Sequence, residues 1–271
     1  MNGNIEKLPL NATVIKLAAV CLMVLDHIHQ MFEPLGAPIW LNWLGRPVLP
    51  LFLFILSESY YHTANRKKLL LRLLFASWFM QVGDVLLGTV FWPNEQVLLF
   101  NNAFATLFMA GLYMLFRDLY LDGAKTKKTG KIAAAAALSL LPVLTVIPVY
   151  LIIFHDLADS WLNQVLLTAA LMLPNILFVE GGPSFILLGV LFYTFRGRRQ
   201  VQILILAIIS GVFFLFYKDA ANQWLMILAA IPILLYNGKK GRGWQYFFYV
   251  FYPVHIYLFY IIATIWTKRV F

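Results

Sequence analysis

TVIKLAAVCLMVLDHIHQMF, residues 13–32, decides the fold class. As an α-helix, its twenty residues would reach about 30 Å, the thickness of a bilayer's hydrocarbon core. Asn11 or Thr13 is placed to cap it. Similar apolar runs recur at about 44–61, 68–90, 97–116, 132–154, 201–217, 223–236 and 244–266. Pro47 falls near the first turn of the second run, where a missing N–H costs least, and Pro142 and Pro148 bend the fifth. A further apolar stretch, 161–195, is interrupted by EGGP at 180–183.

Composition agrees. Of 271 residues, 62% are hydrophobic and 12% charged, with a mean hydropathy of +0.78; a soluble domain carries about 25% charged residues. The expected fold is an all-α polytopic integral membrane protein with nine or ten transmembrane helices, some kinked or broken, in a single domain over 1–271. Cys21, the single cysteine, cannot close an intramolecular disulfide, and the first run is too long and too charged for a cleavable signal peptide. Metal-ligand clusters, a P-loop and GxGxxG are not apparent.

The net charge of +9 resides in short loops, NRKK (65–68), KTKK (125–128), RGRR (196–199) and GKKGR (238–242). That is the positive-inside pattern of a membrane protein rather than a nucleic-acid surface. A cytoplasmic N-terminus in a cell (inner) membrane places the first two basic loops inside and the loops at 91–96 and 155–160 outside. If 161–195 makes one net crossing as a helix plus a half helix, RGRR and GKKGR also fall inside; nine crossings result, with Lys268 and Arg269 outside. Ten crossings would bring both termini inside but misplace two basic loops.

Ionisable groups within such runs mark a cavity, a relay or a site. Lys16 and His27 are eleven positions apart, about three turns, so they share a helix face about 16 Å apart along the axis. A cation near the cytoplasm and an imidazole deeper in suit a ligand with an anionic head and a reactive tail, the shape of an acyl-coenzyme A. The plainer reading is a snorkelling lysine and a histidine bonded to a neighbouring carbonyl. Asp26, Arg46, Gln81, Asp84, Asn101 and Asn102 fall at the depth of His27 on four sequential helices, and the cheapest arrangement has them facing one polar cavity. Alternatively, Arg46 forms a structural salt bridge with Asp26 or Asp84. Glu58 and His62 share one face of the second helix. His255, two residues after Pro253, is either part of the site or bonded to the carbonyl that proline frees. His155, beside Asp156 in a loop, is explained by solvation.

A basic residue, ten residues and a histidine on the first membrane helix resembles the motif of acyltransferase-3-type membrane acyltransferases, with Lys16 where arginine is commoner. More closely, the chain resembles the TraX family, named for the protein that acetylates the N-terminus of F-type conjugative pilin. The resemblance rests on KLAAVCLMVLDHI (16–28), WLGRPVLPLFLFILSESYYHTANRKKLLLRL (43–73), NNAFATLFMAGL (101–112), GVLF (189–192) and FYVFYPVHIYL (248–258). Between 117 and 180 only hydrophobicity matches.

The resemblance implies acyl transfer, with acetyl-CoA as donor. The acceptor is an unidentified hydroxyl or amine at or across the membrane: a surface glycan, a lipid-linked sugar or a peptide N-terminus. Lys16, Arg66, Lys67, Lys68 and Arg72 would then hold the acyl-CoA phosphates. His27 would be general base or nucleophile, Asp84 or Glu58 would orient it, and Arg46 with the Asn101–Asn102 pair would stabilise the oxyanion. Expected partners are acyl-CoA, this acceptor and membrane lipid, with no metal and no nucleic acid. The competing readings are a proton-coupled secondary transporter, since intramembrane Asp, Glu and His also serve proton relays, and a non-enzymatic scaffold.

Overall fold

The computed structural model describes residues 8–154 and 161–270, so the 155–160 loop and its His155 lie outside the described residues. Helix α1 (Ala12–Phe32) is capped by Asn11, whose side-chain oxygen accepts from the N–H groups of Thr13 and Val14 at 3.0 and 3.1 Å. The Thr13 hydroxyl instead donates to the carbonyls of Lys240 and Arg242 at 3.1 and 2.6 Å, tying the start of the chain to the last basic loop. After a 3₁₀ turn at Glu33–Leu35, α2 (Trp40–Gly45) and α3 (Val48–His62) form the second span, hinged at Arg46–Pro47. α4 (Arg66–Val85) runs on as a π-helical stretch, Leu86–Phe91. α5 (Ala103–Lys125) begins later than the hydropathy predicts: Asn102 caps it by accepting from Ala105 N–H at 3.1 Å, which leaves 97–102 non-helical.

The proline-bent fifth run is two helices, α6 (Thr129–Leu144) and α7 (Val146–Phe154). The 161–195 stretch is also two, α8 (Trp161–Leu171) and α9 (Gly182–Thr194), separated by irregular chain. Irregular backbone at membrane depth must find partners within the protein, and here the two breaks supply one another. Ile176 N–H donates to the Pro142 carbonyl at 3.0 Å, and the Thr145 hydroxyl donates to the Pro174 carbonyl. Trp78 and Thr106 bond the carbonyls of Met172 and Glu180 at 2.8 and 2.7 Å. The chain closes with α10 (Arg199–Ala221), a 3₁₀ stretch (Gln223–Ala229) continuing into α11 (Ala230–Leu234), and α12 (Gln245–Val270).

Among the described residues, seven helical segments are long and apolar enough to cross a membrane, and Leu162–Leu171, Gly182–Thr194 and Gln223–Leu234 are shorter apolar helices. The chain is an all-helical, multi-pass membrane protein. Contacts place the four basic loops at one end of the bundle. Leu10 pairs with Leu235 and Asn237, Arg196 donates to His62 at 2.8 Å, and Arg66 and Tyr193 both bond Asp118 near the end of α5. At the opposite end the 92–97 turn holds α12: Asn94 donates to the hydroxyls of Thr264 and Thr267, both at 3.0 Å. RGRR therefore returns to the end from which α3 and α4 connect, as one net crossing by α8 and α9 requires.

Helix α3 is the buried centre. Leu51, Leu53, Phe54, Ile55, Leu56 and Tyr60 are all buried, covering most of its circumference. Small residues bring its neighbours close. A Cβ on Gly189 of α9 would sit 3.0 Å from both Ala110 of α5 and Leu53 of α3. The most apolar span, Thr129–Phe154, is the least buried. In lipid the greasiest helix belongs outside, because association there rests on packing and hydrogen bonds.

Candidate functional site

A cavity of about 910 Å³ runs through the bundle along α1, from the end carrying the basic loops to the Asp-His pair. At the basic end its wall includes Lys16, Glu58, His62, Arg72, Lys240 and Arg242; at the inner end it includes Asp26, His27, Arg46, Glu180, Gln223 and Tyr252. Lys16 and His27 line the same cavity, as their eleven-residue spacing predicts. Lys16 turns inward, its ammonium 5.5 Å from the Phe248 ring centroid, and does not snorkel to the lipid surface.

At the inner end a hydrogen-bond chain links α1, α12 and the non-helical segment that leads into α5. His255 Nδ1 lies 2.7 Å from the Phe251 carbonyl oxygen, His27 Nδ1 lies 2.7 Å from His255 Nε2, and Asn101 Nδ2 lies 3.3 Å from His27 Nε2. A carbonyl only accepts, so His255 donates from Nδ1 and accepts at Nε2, and His27 donates from Nδ1. The remaining His27 nitrogen, Nε2, keeps its lone pair and accepts from Asn101. Asn101 also forms a reciprocal amide pair with Gln30 (2.8 and 3.0 Å). Both histidines are buried, and Tyr252 packs against them while accepting from Ala103 N–H at 3.1 Å.

Beside this chain lies a second polar group. Asn42 Nδ2 donates to Asp26 at 2.9 Å, and Arg46 Nε donates to Asn42 Oδ1 at 3.1 Å. Arg46 also donates to Gln223 at 3.1 Å. Asn42 thus stands between aspartate and guanidinium, where a direct Arg46–Asp26 or Arg46–Asp84 bridge was one expectation. Gly45 makes room for this: a Cβ there would lie 2.2 Å from Asp26 Cγ. Glu180 reaches the group through the EGGP break, in which Gly181 and Gly182 both adopt left-handed φ (+73° and +58°) that other residues resist.

At the basic end Glu58 is held by Arg196 and Arg199 at 3.4 and 3.5 Å. Arg199 also covers the ring of Tyr236, which follows α11. Tyr236 is buried and lines the cavity wall.

Residues 11–263 match the family described as TraX protein. The chain belongs to the TraX family. It is also 28% identical to the "Probable fimbrial assembly protein FimC, serogroup H1" of Dichelobacter nodosus, over 95% of this chain and 96% of that protein. No solved structure matches.

The TraX-family chain does not gather every residue expected at its site. Asp84 is buried beside Tyr257 and the Asn101 backbone, away from the cavity wall, and His255 holds the place at His27 proposed for Asp84 or Glu58. Gln81 and Asn102 line a separate pocket of about 20 Å³, and Asn102 spends its amide on the Ser77 carbonyl at 3.0 Å. Asn101 meets His27 from behind the wall. The cause is rotation: equal depth on four helices does not give equal facing. Arg66 is paired with Asp118 at 2.8 Å, and neither it nor Lys67 lines the cavity. His255 bonds the Phe251 carbonyl; the carbonyl freed by the missing Pro253 N–H belongs to Tyr249.

Sequence reasoning passed over Gln30, Asn42, Glu180, Gln223, Lys240 and Arg242. The signal for Glu180 was an acidic residue at a glycine break in an apolar stretch. Lys240 and Arg242 were visible only as topology determinants.

Proposed function

We propose that this TraX-family chain is a membrane-embedded acyltransferase that moves an acetyl or other acyl group from acyl-CoA to a hydroxyl or amine of an acceptor at or across the inner membrane. One observation carries the reading: a single cavity joins a cationic end to the buried His27, whose Nδ1 is paired with His255 at 2.7 Å. Lys16, Arg72, Lys240 and Arg242 supply charge for the donor's phosphates, and the volume suits an extended ligand. With the acceptor bound, its hydroxyl or amine displaces the Asn101 amide from the Nε2 lone pair; His27 Nε2 takes the acceptor's proton as its oxygen or nitrogen attacks the thioester carbonyl, then returns it to the departing CoA thiolate. Arg46 is the cation at the inner end available to the developing oxyanion. The clustering of the basic loops at the donor end supports a cytoplasmic donor side by the positive-inside rule. The relative's name associates it with fimbrial assembly, which makes an extracytoplasmic protein subunit one acceptor to test.

The test is transfer of labelled acetyl from acetyl-CoA by the purified protein in nanodiscs, with candidate amines and hydroxyls as acceptors. His27→Ala should abolish transfer, since removing the base costs on the order of 10²–10⁴-fold, while membrane insertion and monodispersity are kept. Transfer at full rate in that variant would sink the reading. The proton-coupled transporter reading draws on the buried Asp84, whose Oδ1 has no hydrogen-bond partner. Uptake into proteoliposomes driven by a proton gradient and abolished in Asp84→Asn would favour it.

A further inference from the structure

The structure assigns His255 of α12 as the positioning residue that fixes the proton of His27 on Nδ1 and so keeps Nε2 basic. This rests on the acyltransferase reading for its catalytic consequence but not for its geometry. A neutral imidazole carries one proton. On His255 it is committed to Nδ1, because the Phe251 carbonyl 2.7 Å away can only accept. His255 Nε2 therefore presents a lone pair to His27 Nδ1 at 2.7 Å. Were His27 to carry its proton on Nε2, two lone pairs would face each other across 2.7 Å, and the Nε2 proton would point at the amide protons of Asn101. With His27 Nδ1 the donor to His255, Nε2 is the acceptor, so Asn101 offers its amide protons there and Gln30 follows through the reciprocal amide pair. One proton arrangement satisfies all four side chains.

The work is shared between distant parts of the chain, because α12 brings His255 to α1 although the two histidines are 228 positions apart. The α12 side is itself held: the His255 ring stacks on Phe251, with centroids 4.8 Å apart, and is edged by Phe259. During transfer, the proton taken from the acceptor makes His27 a cation. His255 Nε2 then accepts a charge-assisted bond from His27 Nδ1–H, backed by the Phe251 carbonyl. A carboxylate fills the corresponding place in the serine-protease triad; here a neutral histidine oriented by a backbone carbonyl does so, without placing another buried charge.

The experiment is nitrogen NMR of the full chain, ¹⁵N-histidine labelled, in nanodiscs, with His27 assigned by His27→Gln. Wild type should show His27 Nε2 as the bare, pyridine-type nitrogen and Nδ1 as the protonated one. His255→Phe keeps a ring against Phe251 but removes the acceptor, and should redistribute the His27 proton between its nitrogens. His255→Gln restores an acceptor and should recover the wild-type pattern. In acetyl transfer, His255→Phe should lower kcat on the order of 10²-fold with KM for acetyl-CoA unchanged, and His255→Gln should regain most of it. A protonated Nε2 on wild-type His27, or a tautomer unchanged in His255→Phe, overturns the assignment. If His255→Phe does not fold, the wild-type spectrum alone still decides it. Absence of transfer in wild type would remove the acyltransferase reading and leave the tautomer result standing.

Discussion

Lys16 shows how one residue's meaning depends on which way it turns. The sequence offers a cation at the end of a span, which a snorkelling anchor would also supply; the structure points it into the cavity beside Phe248. We expect Lys16→Ala to weaken acyl-CoA binding about tenfold, the equivalent of about 1.4 kcal/mol, measured by titration calorimetry in detergent. Unchanged affinity would return the residue to an anchoring role. Gly45→Ala is a sharper case. The new methyl would overlap Asp26, so the variant should lose about 1–3 kcal/mol of stability and displace the carboxylate from Asn42. A melting temperature equal to wild type would show that α2 yields freely at that point. The pairing of Lys16 with His27 was legible because a helix's period is known in advance. The Asn42 bridge was not, since which of several polar groups meet depends on how far each helix is turned about its axis.

The elements fall into two kinds. Long apolar helices such as α1 and α12 follow directly from hydropathy, but the broken crossings do not. The sequence marks Pro142, Pro148 and EGGP as breaks, and the structure joins two of the resulting irregular segments by hydrogen bonds, which partner backbone groups that lipid could not. Asn94 helps hold the far end of α12: it donates to two threonine hydroxyls and accepts from Gln96 and Val97 N–H, while Tyr260 bonds the Trp92 carbonyl of the same turn. Asn94→Ala should cost about 1–2 kcal/mol and lower the melting temperature by several degrees. Because α12 carries His255, the same variant should reduce transfer in proportion to the loosening, read as hydrogen-exchange protection along 255–267. Full protection there would confine Asn94 to its own turn.

For the whole molecule, the distribution of charge and the cavity point the same way. All four basic loops share one end of the bundle, and the cavity's cationic wall is at that end, with Lys240 and Arg242 belonging to both. With Cys21→Ser as background, Thr126→Cys should react with an impermeant maleimide only from the cytoplasmic side, and Glu95→Cys only from the opposite side. The reverse pattern would invert the proposed orientation. Acetyl-CoA at a hundred times its dissociation constant should stabilise the folded protein by about 2.7 kcal/mol, and His27→Ala should retain that gain because Lys16 and Arg72 are untouched.

What the linear order of residues settles here is whatever depends on local periodicity and on the solvent. Apolar runs of bilayer length require helices, clustered cations set which loops share a side, and an eleven-residue interval puts Lys16 and His27 on one face. Left to the packing was which polar groups share a cavity. Asp84 and Asn102 turn away, and Glu180, Gln223, Lys240 and Arg242 turn in. His27 finds its partner 228 residues along the chain. Depth in the membrane can be read from position along a helix, whereas facing follows from how each helix rotates against its neighbours to bury small residues and satisfy every polar group, and that is a property of the assembled bundle.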